Sequence, residues 1–429
     1  MRSPLRRILA VGAAAAVSLT FAATPADAGD HRYVKVGYFT QWGIYGRNFP
    51  VKNLQTSGAA QKLTHINYAF SDVTKDGVCA SADPWADWQV PFPDETSVDG
   101  VGDVAGQPVA GNLNQLAELK RANPRLRVLI SLGGWTLSKN FSDAVLTAAS
   151  RQKLVDSCVD LWLKGNLPGA EPGAAAGIFD GIDLDWEWPG SAGDVGNVIR
   201  PEDKENFTAL LREFRESLDR LGRARHHKYE LTAFLPAAPA KIDAGFEVRK
   251  IFKYLDFGTV QGYDFHGTWE PRANQQSALR VPAGAPDNPD FSITTTIDAW
   301  LDRGAPRRDL VLGMPYYGQG WTGVTGGQNG LFGTATGPAP GSFAAGNEDY
   351  KVLAGLPAQG YTVYRDRRAG HTYLYNGTTF WTFDDPEQLT QKTTYIKNKG
   401  LGGAMMWSLD GDDANASLTR AIARGLRTP

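Results

Sequence analysis

Eight short apolar runs, most followed by a stretch of helical spacing, narrow the possible folds more than any other feature of this chain. The runs are residues 34–39, 64–70, 127–132, 181–186, 230–235, 257–263, 310–315 and 403–408. Helical patterns cover 112–122, 142–164, 201–221, 246–254, 294–303 and 386–398, and a last helix over 416–424 ends with Gly425 just beyond it. Pro201, followed by Glu202 and Asp203, suits a helix start, because proline there needs no donor and acids suit the positive end. The alternation predicts an α/β fold, a closed parallel (β/α)8 TIM barrel with a helical outer ring. An open doubly wound sheet would want a glycine-rich phosphate loop after its first strand, and Tyr38-Phe-Thr-Gln-Trp42 is nothing like one.

Two stretches depart from an ideal barrel. Residues 72–111, after the second strand, are long, rich in Pro, Asp and Trp, and aperiodic, which on the carboxyl side of a barrel points to function. Residues 318–384 lie between the seventh strand and its helix. They begin Gly/Ala-rich and end in three strand-like runs, 361–365, 372–375 and 379–383, the last two joined by the turn signal Asn376-Gly377. This predicts a small inserted α+β domain, with barrel segments 29–317 and 385–429 on either side. Ahead of them, Arg2, Arg6 and Arg7 precede an apolar alanine-rich run, and Ala26-Asp-Ala28 supplies small residues at a cleavage position. Residues 1–28 therefore read as a signal peptide rather than a membrane anchor, and the protein is expected to be secreted. Cys79 and Cys158, the two cysteines, are compatible with one disulfide or with two buried thiols. Net charge is −2 without a long basic or acidic block, so neither nucleic acid nor membrane is expected as a partner. No Cys/His cluster has metal-ligand spacing, no metal or cofactor is expected, and a monomer is the simple expectation.

The chemistry concentrates in Asp180-Gly-Ile-Asp-Leu-Asp-Trp-Glu-Trp-Pro189. A strand's period of two puts Asp183, Asp185 and Glu187 on one face, where each carboxylate disfavours ionisation of its neighbours. Glycosidic cleavage needs an acid for the leaving oxygen and a group to stabilise the cationic sugar carbon, commonly two carboxylates. Glu187, nearest the open end of the strand, is the candidate acid. Asp185 raises its proton affinity, and Asp183 is placed to share a proton with Asp185. Asp180 has the opposite parity and is expected to organise the barrel.

This segment resembles the DxxDxDxE signature of glycoside hydrolase family 18, the chitinases and their relatives. Supporting motifs follow in order: Ser131-Leu-Gly-Gly-Trp135, Tyr263-Asp-Phe-His266 and the final strand from Gly403 to Trp407. Gly37-Tyr-Phe-Thr-Gln-Trp-Gly-Ile-Tyr-Gly-Arg47 and the insertion after Gly313-Met-Pro-Tyr-Tyr317 are similar to the bacterial chitinase A branch. The resemblance implies hydrolysis of chitin or chitooligosaccharides with retention, the substrate's own N-acetyl oxygen attacking to form an oxazolinium ion. Glu187 would protonate the scissile oxygen and later activate water. Asp185 would hold the acetamide N–H, Asp183 would support Asp185, and Tyr263 would bind the acetamide oxygen.

By the same resemblance Trp407 would floor the pocket, with Tyr38, Trp42 and Phe70 toward the non-reducing side and Trp135 and Trp269 on the leaving-group side. Asp264 would orient the acetamide or a hydroxyl, and Tyr317 would be a further substrate-binding residue. Gln261 stands where methionine is common and Gln319 where arginine is common, so both bear on subsite affinity. Core packing is the expectation for Trp85, Trp88, Trp162 and Trp300, and a structural role for His266. His226-His227 at a helix end reads as solvated or as balancing the helix's negative end. Competing functions are an endo-β-N-acetylglucosaminidase acting on N-glycans and a chitin-binding lectin without catalysis.

Overall fold

All eight expected strands form, and they close on themselves. A computed structural model describes residues 33–104, 106–286 and 291–427, so the expected leader over 1–28 lies outside the described residues. The strands are β1 Val34–Thr40, β2 His65–Val73, β3 Arg127–Gly133, β4 Gly181–Asp185, β5 Glu230–Leu235, β6 Phe257–Val260, β7 Leu310–Pro315 and β8 Gly403–Trp407. Each pairs in parallel with its neighbour, and β8 returns to β1 to complete a (β/α)8 barrel. The register sets Ser131 of β3 and Thr232 of β5 on either side of Asp183 of β4. Alternation sends Ile182 and Leu184 outward into the same core as Leu210, Leu211 and Phe214 of the helical ring, all fully buried.

The principal helices are α1 Gly111–Ala122, α2 Ala148–Cys158, α3 Asp203–Arg225, α4 Pro239–Gly245, α5 Ile293–Asp302, α6 Pro386–Lys399 and α7 Ser417–Gly425. α3 begins at Asp203 rather than Pro201. The buried Asp203 carboxylate accepts from the backbone N–H of Gly190 and Arg200 and from Ser142 Oγ, tying the helix start to the loop behind the site. The single helix expected over 142–164 is divided. Thr147 adopts extended backbone and forms a capping box with Ser150, which starts α2 afresh, and α2 runs into a π-turn over Val159–Leu163. The helix expected over 246–254 shrinks to Val248–Ile251, and α4, unread in the sequence, precedes it.

Cys79 and Cys158 form a disulfide, with Cα atoms 4.9 Å apart, that pins the start of the long loop after β2 to the end of α2. Closing 79 residues is worth about 4 kcal/mol in the chain-entropy account.

A second sheet of antiparallel strands follows β7. Its order is Gly337–Pro338, Tyr317–Thr322, Phe380–Phe383, His371–Tyr375, Thr362–Asp366, and Asn347–Asp349 also pairs with Tyr317–Thr322. The three later strands match the sequence reading to within a residue. The first, Tyr317–Thr322, escaped it because glycines interrupt its pattern. Gly320 is required there: a Cβ would stand 2.2 Å from the Trp381 ring. This sheet carries its own small core, in which Trp321, Leu331, Tyr373 and Phe380 join Ala273 from the loop after β6.

Candidate active site

The inner row of β4 shows a gradient of hydrogen bonding from bottom to mouth. Asp183, fully buried, is saturated. Tyr38 OH and Ser131 Oγ donate to Oδ2 at 2.7 Å each, and Thr232 Oγ1 donates to Oδ1 at 2.5 Å. Burial raises its proton affinity, opposed by those donors, Thr232 foremost. Asp185, two residues on, has a buried Oδ1 without a hydrogen-bond partner among the described residues. Burial, then the charges of Glu187 and Asp183, push it well above the ordinary carboxylate range. Glu187, partly exposed at the mouth, is pushed up to about 8 by burial, with the Lys241 ammonium pulling the other way; the raising charge comes from Asp264, whereas Asp185, expected to raise it, lowers it through a side-chain hydrogen bond.

Glu187 is held by its backbone, and its carboxyl shares a hydrogen bond with that of Asp185. Its N–H donates to Ser138 Oγ at 2.9 Å and its carbonyl accepts from Asn197 Nδ2 at 2.8 Å. Ser138 in turn donates to Gly134 O at 2.8 Å, joining the β3 and β4 ends. The two glycines after Ser131 follow from geometry. Both have positive φ, 104° at Gly133 and 84° at Gly134. A Cβ would lie 2.4 Å from Asp185 O at the first and 2.6 Å from the Phe70 ring at the second. Only glycine lets β3 turn away so close to the acid row.

Two aromatic series flank the row. On one side Trp407 meets Tyr38 with ring centroids 5.1 Å apart and stacks on Phe70 at 5.7 Å, and Trp42 lies 6.0 Å beyond Phe70. On the other, Trp188, Phe234, Tyr263 and Tyr317 follow one another at 5.4, 6.2 and 6.1 Å. Tyr263 is buried, and desolvation together with the surrounding carboxylates holds its phenol well above its ordinary range, a neutral donor. Asp264, at φ 55°, accepts from Tyr317 OH at 2.6 Å and Gln319 Nε2 at 3.0 Å. Gln319 therefore supplies a donor to Asp264, and Gln261 Oε1 accepts from Ala237 N at 3.4 Å beside it. Trp135 and Trp269 are 48% and 62% exposed and make no ring contact with either series among the described residues.

Asp180 lies below the row: Oδ2 accepts from Val128 N and Lys120 Nζ, both at 2.8 Å, and Oδ1 lies 3.5 Å from His227 Nε2. His226 ends α3 in left-handed backbone. His266 is buried, with Nδ1 2.9 Å from Glu270. Trp88, Trp162 and Trp300 are buried, the latter two donating to Ser71 Oγ and Pro236 O. Trp85 corrects the packing expectation: it is 51% exposed, because the turn Trp85–Gln89 directs Ala86, Asp87 and Trp88 inward and leaves it outside. Thr232, Ser138, Asn197 and Lys241 went unread. Their only signal is register and loop geometry, which no local motif carries.

Glycosyl hydrolases family 18 matches residues 34–412. The chain belongs to this family. It is 39% identical to chitinase A1 of Niallia circulans over 95% of its length, and it spans 61% of that relative. Among solved structures, the catalytic domain of psychrophilic chitinase B from Arthrobacter TAD20 superposes with a TM-score of 0.89 at 45% identity, covering 92% of this chain and 96% of that one. Catalytic domain 2 of the Ostrinia furnacalis group II chitinase, a mutant solved with penta-N-acetylchitooctaose, superposes with a TM-score of 0.74 at 27% identity, covering 91% and 95%. The buried acid row, the neutral phenol and the aromatic flanks thus sit in a family 18 barrel.

Proposed function

We propose that this family 18 chain is a chitinase, hydrolysing β-1,4-N-acetylglucosamine linkages with retention through attack by the substrate's own acetamide. The observation that carries this reading is the contrast along β4: Asp183 is saturated with hydroxyl donors, while Asp185, two residues before Glu187, keeps one buried oxygen without a partner among the described residues. An unpartnered buried carboxylate oxygen is costly unless a ligand donor meets it, and an acetamide N–H is such a donor. Asp185 would then hold the amide so that its oxygen faces the anomeric carbon and would stabilise the positive oxazolinium ion. Tyr263, a neutral phenol, would donate to the amide oxygen and align it. Glu187, protonated at neutral pH, would protonate the leaving oxygen and then take a proton from water on the return step.

The aromatic series suit pyranose faces, whose C–H groups pack on flat rings. Trp407 would floor the reactive-sugar pocket, Tyr38, Phe70 and Trp42 would carry sugars toward the non-reducing end, and Trp135 and Trp269 would receive the leaving group. Residues 318–384 would act as an inserted wall deepening the cleft. Its fastening to the rim supports this: Arg47 pairs with Asp349 of that segment and, at 3.1 Å, with Asp410 just past Trp407. We take the enzyme to be secreted and monomeric; among the described residues no helix is long and apolar enough to cross a membrane.

The deciding experiment follows the anomeric form of oligomers released in the first seconds of colloidal chitin digestion by NMR. β anomers are expected, and α anomers would overturn the mechanism. A protein that releases glycans from a high-mannose glycoprotein while leaving chitin intact would overturn the substrate.

A further inference from the structure

The long loop after β2 carries a buried carboxylate that no step of the reaction uses. Asp87, on the turn Trp85–Gln89, is fully buried and accepts from side chains of three separate segments. Gln41 Nε2 donates to Oδ1 at 2.8 Å, Tyr68 OH of β2 donates to the same oxygen, and Ser81 Oγ donates to Oδ2. Asn112 of α1 braces the group, its Nδ2 donating to Gln41 O and Tyr68 OH at 3.1 Å each. Burial pushes Asp87 up to about 6 against the pull of its donors, so at neutral pH it is an anion accepting charge-assisted hydrogen bonds.

Gln41 faces two ways. While its amide nitrogen holds Asp87, its Oε1 accepts from Phe70 N at 3.4 Å. Gln41 also opens the 3-10 turn Gln41–Ile44, whose second residue is Trp42. The carboxylate therefore reaches both members of the Trp42–Phe70 pair through one side chain. A second tie runs parallel to it: Tyr45 OH donates to Asp83 Oδ2 at 2.6 Å, and Asp83 Oδ1 accepts from Ala86 N at 3.1 Å on the same turn as Asp87. Trp42 itself is 39% exposed, so packing alone does not fix its plane.

We propose that Asp87, acting through Gln41, is a positioning residue that holds Trp42 and Phe70 as one preformed wall for the outer sugars of a long chain. This rests on the reading of that wall as a sugar-binding surface. A ring that is already fixed loses no rotamer freedom when a sugar settles on it, and holding it by a buried network separates binding of outer sugars from chemistry at Glu187.

The test is steady-state kinetics of Gln41→Met, Asp87→Asn and Trp42→Ala on N-acetylchitohexaose and on a short nitrophenyl chitobioside. Gln41→Met should raise KM for the hexamer about fivefold, the cost of ordering roughly one such side chain on binding. Its kcat should stay within twofold, and KM for the chitobioside should be unchanged. Asp87→Asn keeps one acceptor oxygen and should shift the hexamer KM in the same direction by less; it carries the test if Gln41→Met does not fold. Equal rises on both substrates, or no rise on the hexamer in either variant, would overturn the positioning role. If Trp42→Ala raises the hexamer KM while the other two do not, only the positioning claim falls. If Trp42→Ala leaves that KM unmoved, the sugar-binding wall itself falls.

Discussion

The two ends of the inner row of β4 obey opposite rules. At its closed end Asp183 has every demand met: three hydroxyls from three strands converge on two oxygens. At its open end Asp185 has an oxygen with no partner among the described residues, and Glu187 is fixed through its backbone while its carboxyl hydrogen-bonds to that of Asp185. The closed end is built as a stable interior is built, by satisfaction. The open end is built as a site is built, by leaving a buried polar demand for something else to fill. Two residues separate the two regimes on one strand, so the protein can hold the row rigidly without quenching the group just past its end that must change its protonation state.

The comparison breaks most visibly at the open end. Glu187→Gln removes the transferable proton and nothing else, and kcat on chitin should fall by about 10³-fold or more, the upper range for a general acid. Hydrolysis within tenfold of the parent in that variant would remove Glu187 from the mechanism. The same substitution should stabilise the fold. The folded pKa of Glu187, about 8, stands above its ordinary 4.5, so the folded state holds the proton more tightly than the unfolded chain does. Stability contributed by this group is therefore lost as pH rises from 4.5 to 8, and an amide, which never ionises, avoids that loss. Tm should exceed that of the parent at pH 8.5, with the gap closing near pH 4.5. Asp185→Asn should cost less, about 10²-fold in kcat, because it weakens charge stabilisation while leaving the acid in place.

What the sequence disclosed follows the same divide between local and assembled features. Eight strands and the row Asp183, Asp185, Glu187 were legible because period and parity are properties of adjacent residues, and burial on both faces enforced them. Tyr38 and Ser131 were legible only as parts of motifs. Thr232 was not, although it makes the shortest of the three hydrogen bonds to Asp183, because a lone threonine in an apolar strand says nothing until register sets it opposite Asp183. Trp85 was misread for a related reason: composition gives a tryptophan's burial only on average, and the turn that exposes it arises in an aperiodic loop. The strand Tyr317–Thr322 was hidden by its glycines, of which Gly320 lets Trp381 lie against it.

The closed end is tested by Thr232→Val, nearly the same shape without the hydroxyl. Losing one hydrogen bond to a charged group costs about 1.5–3 kcal/mol. Part of that should appear as lower Tm and part as a kcat reduced about tenfold, because Asp183 loses the strongest influence holding its proton affinity down. Asp183 then keeps its proton to higher pH, so the acidic limb of the kcat profile should move upward. A lower Tm with an unmoved pH profile would make the hydroxyl cage packing alone, and the contrast between the two ends would lose its functional meaning.

The smallest expected effect is the most discriminating, because it separates burial from charge at Glu187. The acid must be protonated to act, so kcat should hold below a pH of about 8 and fall tenfold per unit above it. Burial is the main cause of that raised value, and the Lys241 ammonium is the chief force against it. Lys241 comes from α4, with Nζ 5.2 Å from the centre of the Trp188 ring, the residue after the acid. It stays close to Glu187 at some cost, since burial lowers its own pKa while Glu187 raises it. Lys241→Met removes the charge and keeps most of the volume. The alkaline limb should then move upward by a fraction of a pH unit, with kcat on its plateau within about twofold. A downward move would mean that the lysine acts on the site by some route other than its charge, and no movement would mean that solvent at the mouth screens the pair and that burial alone sets the acid.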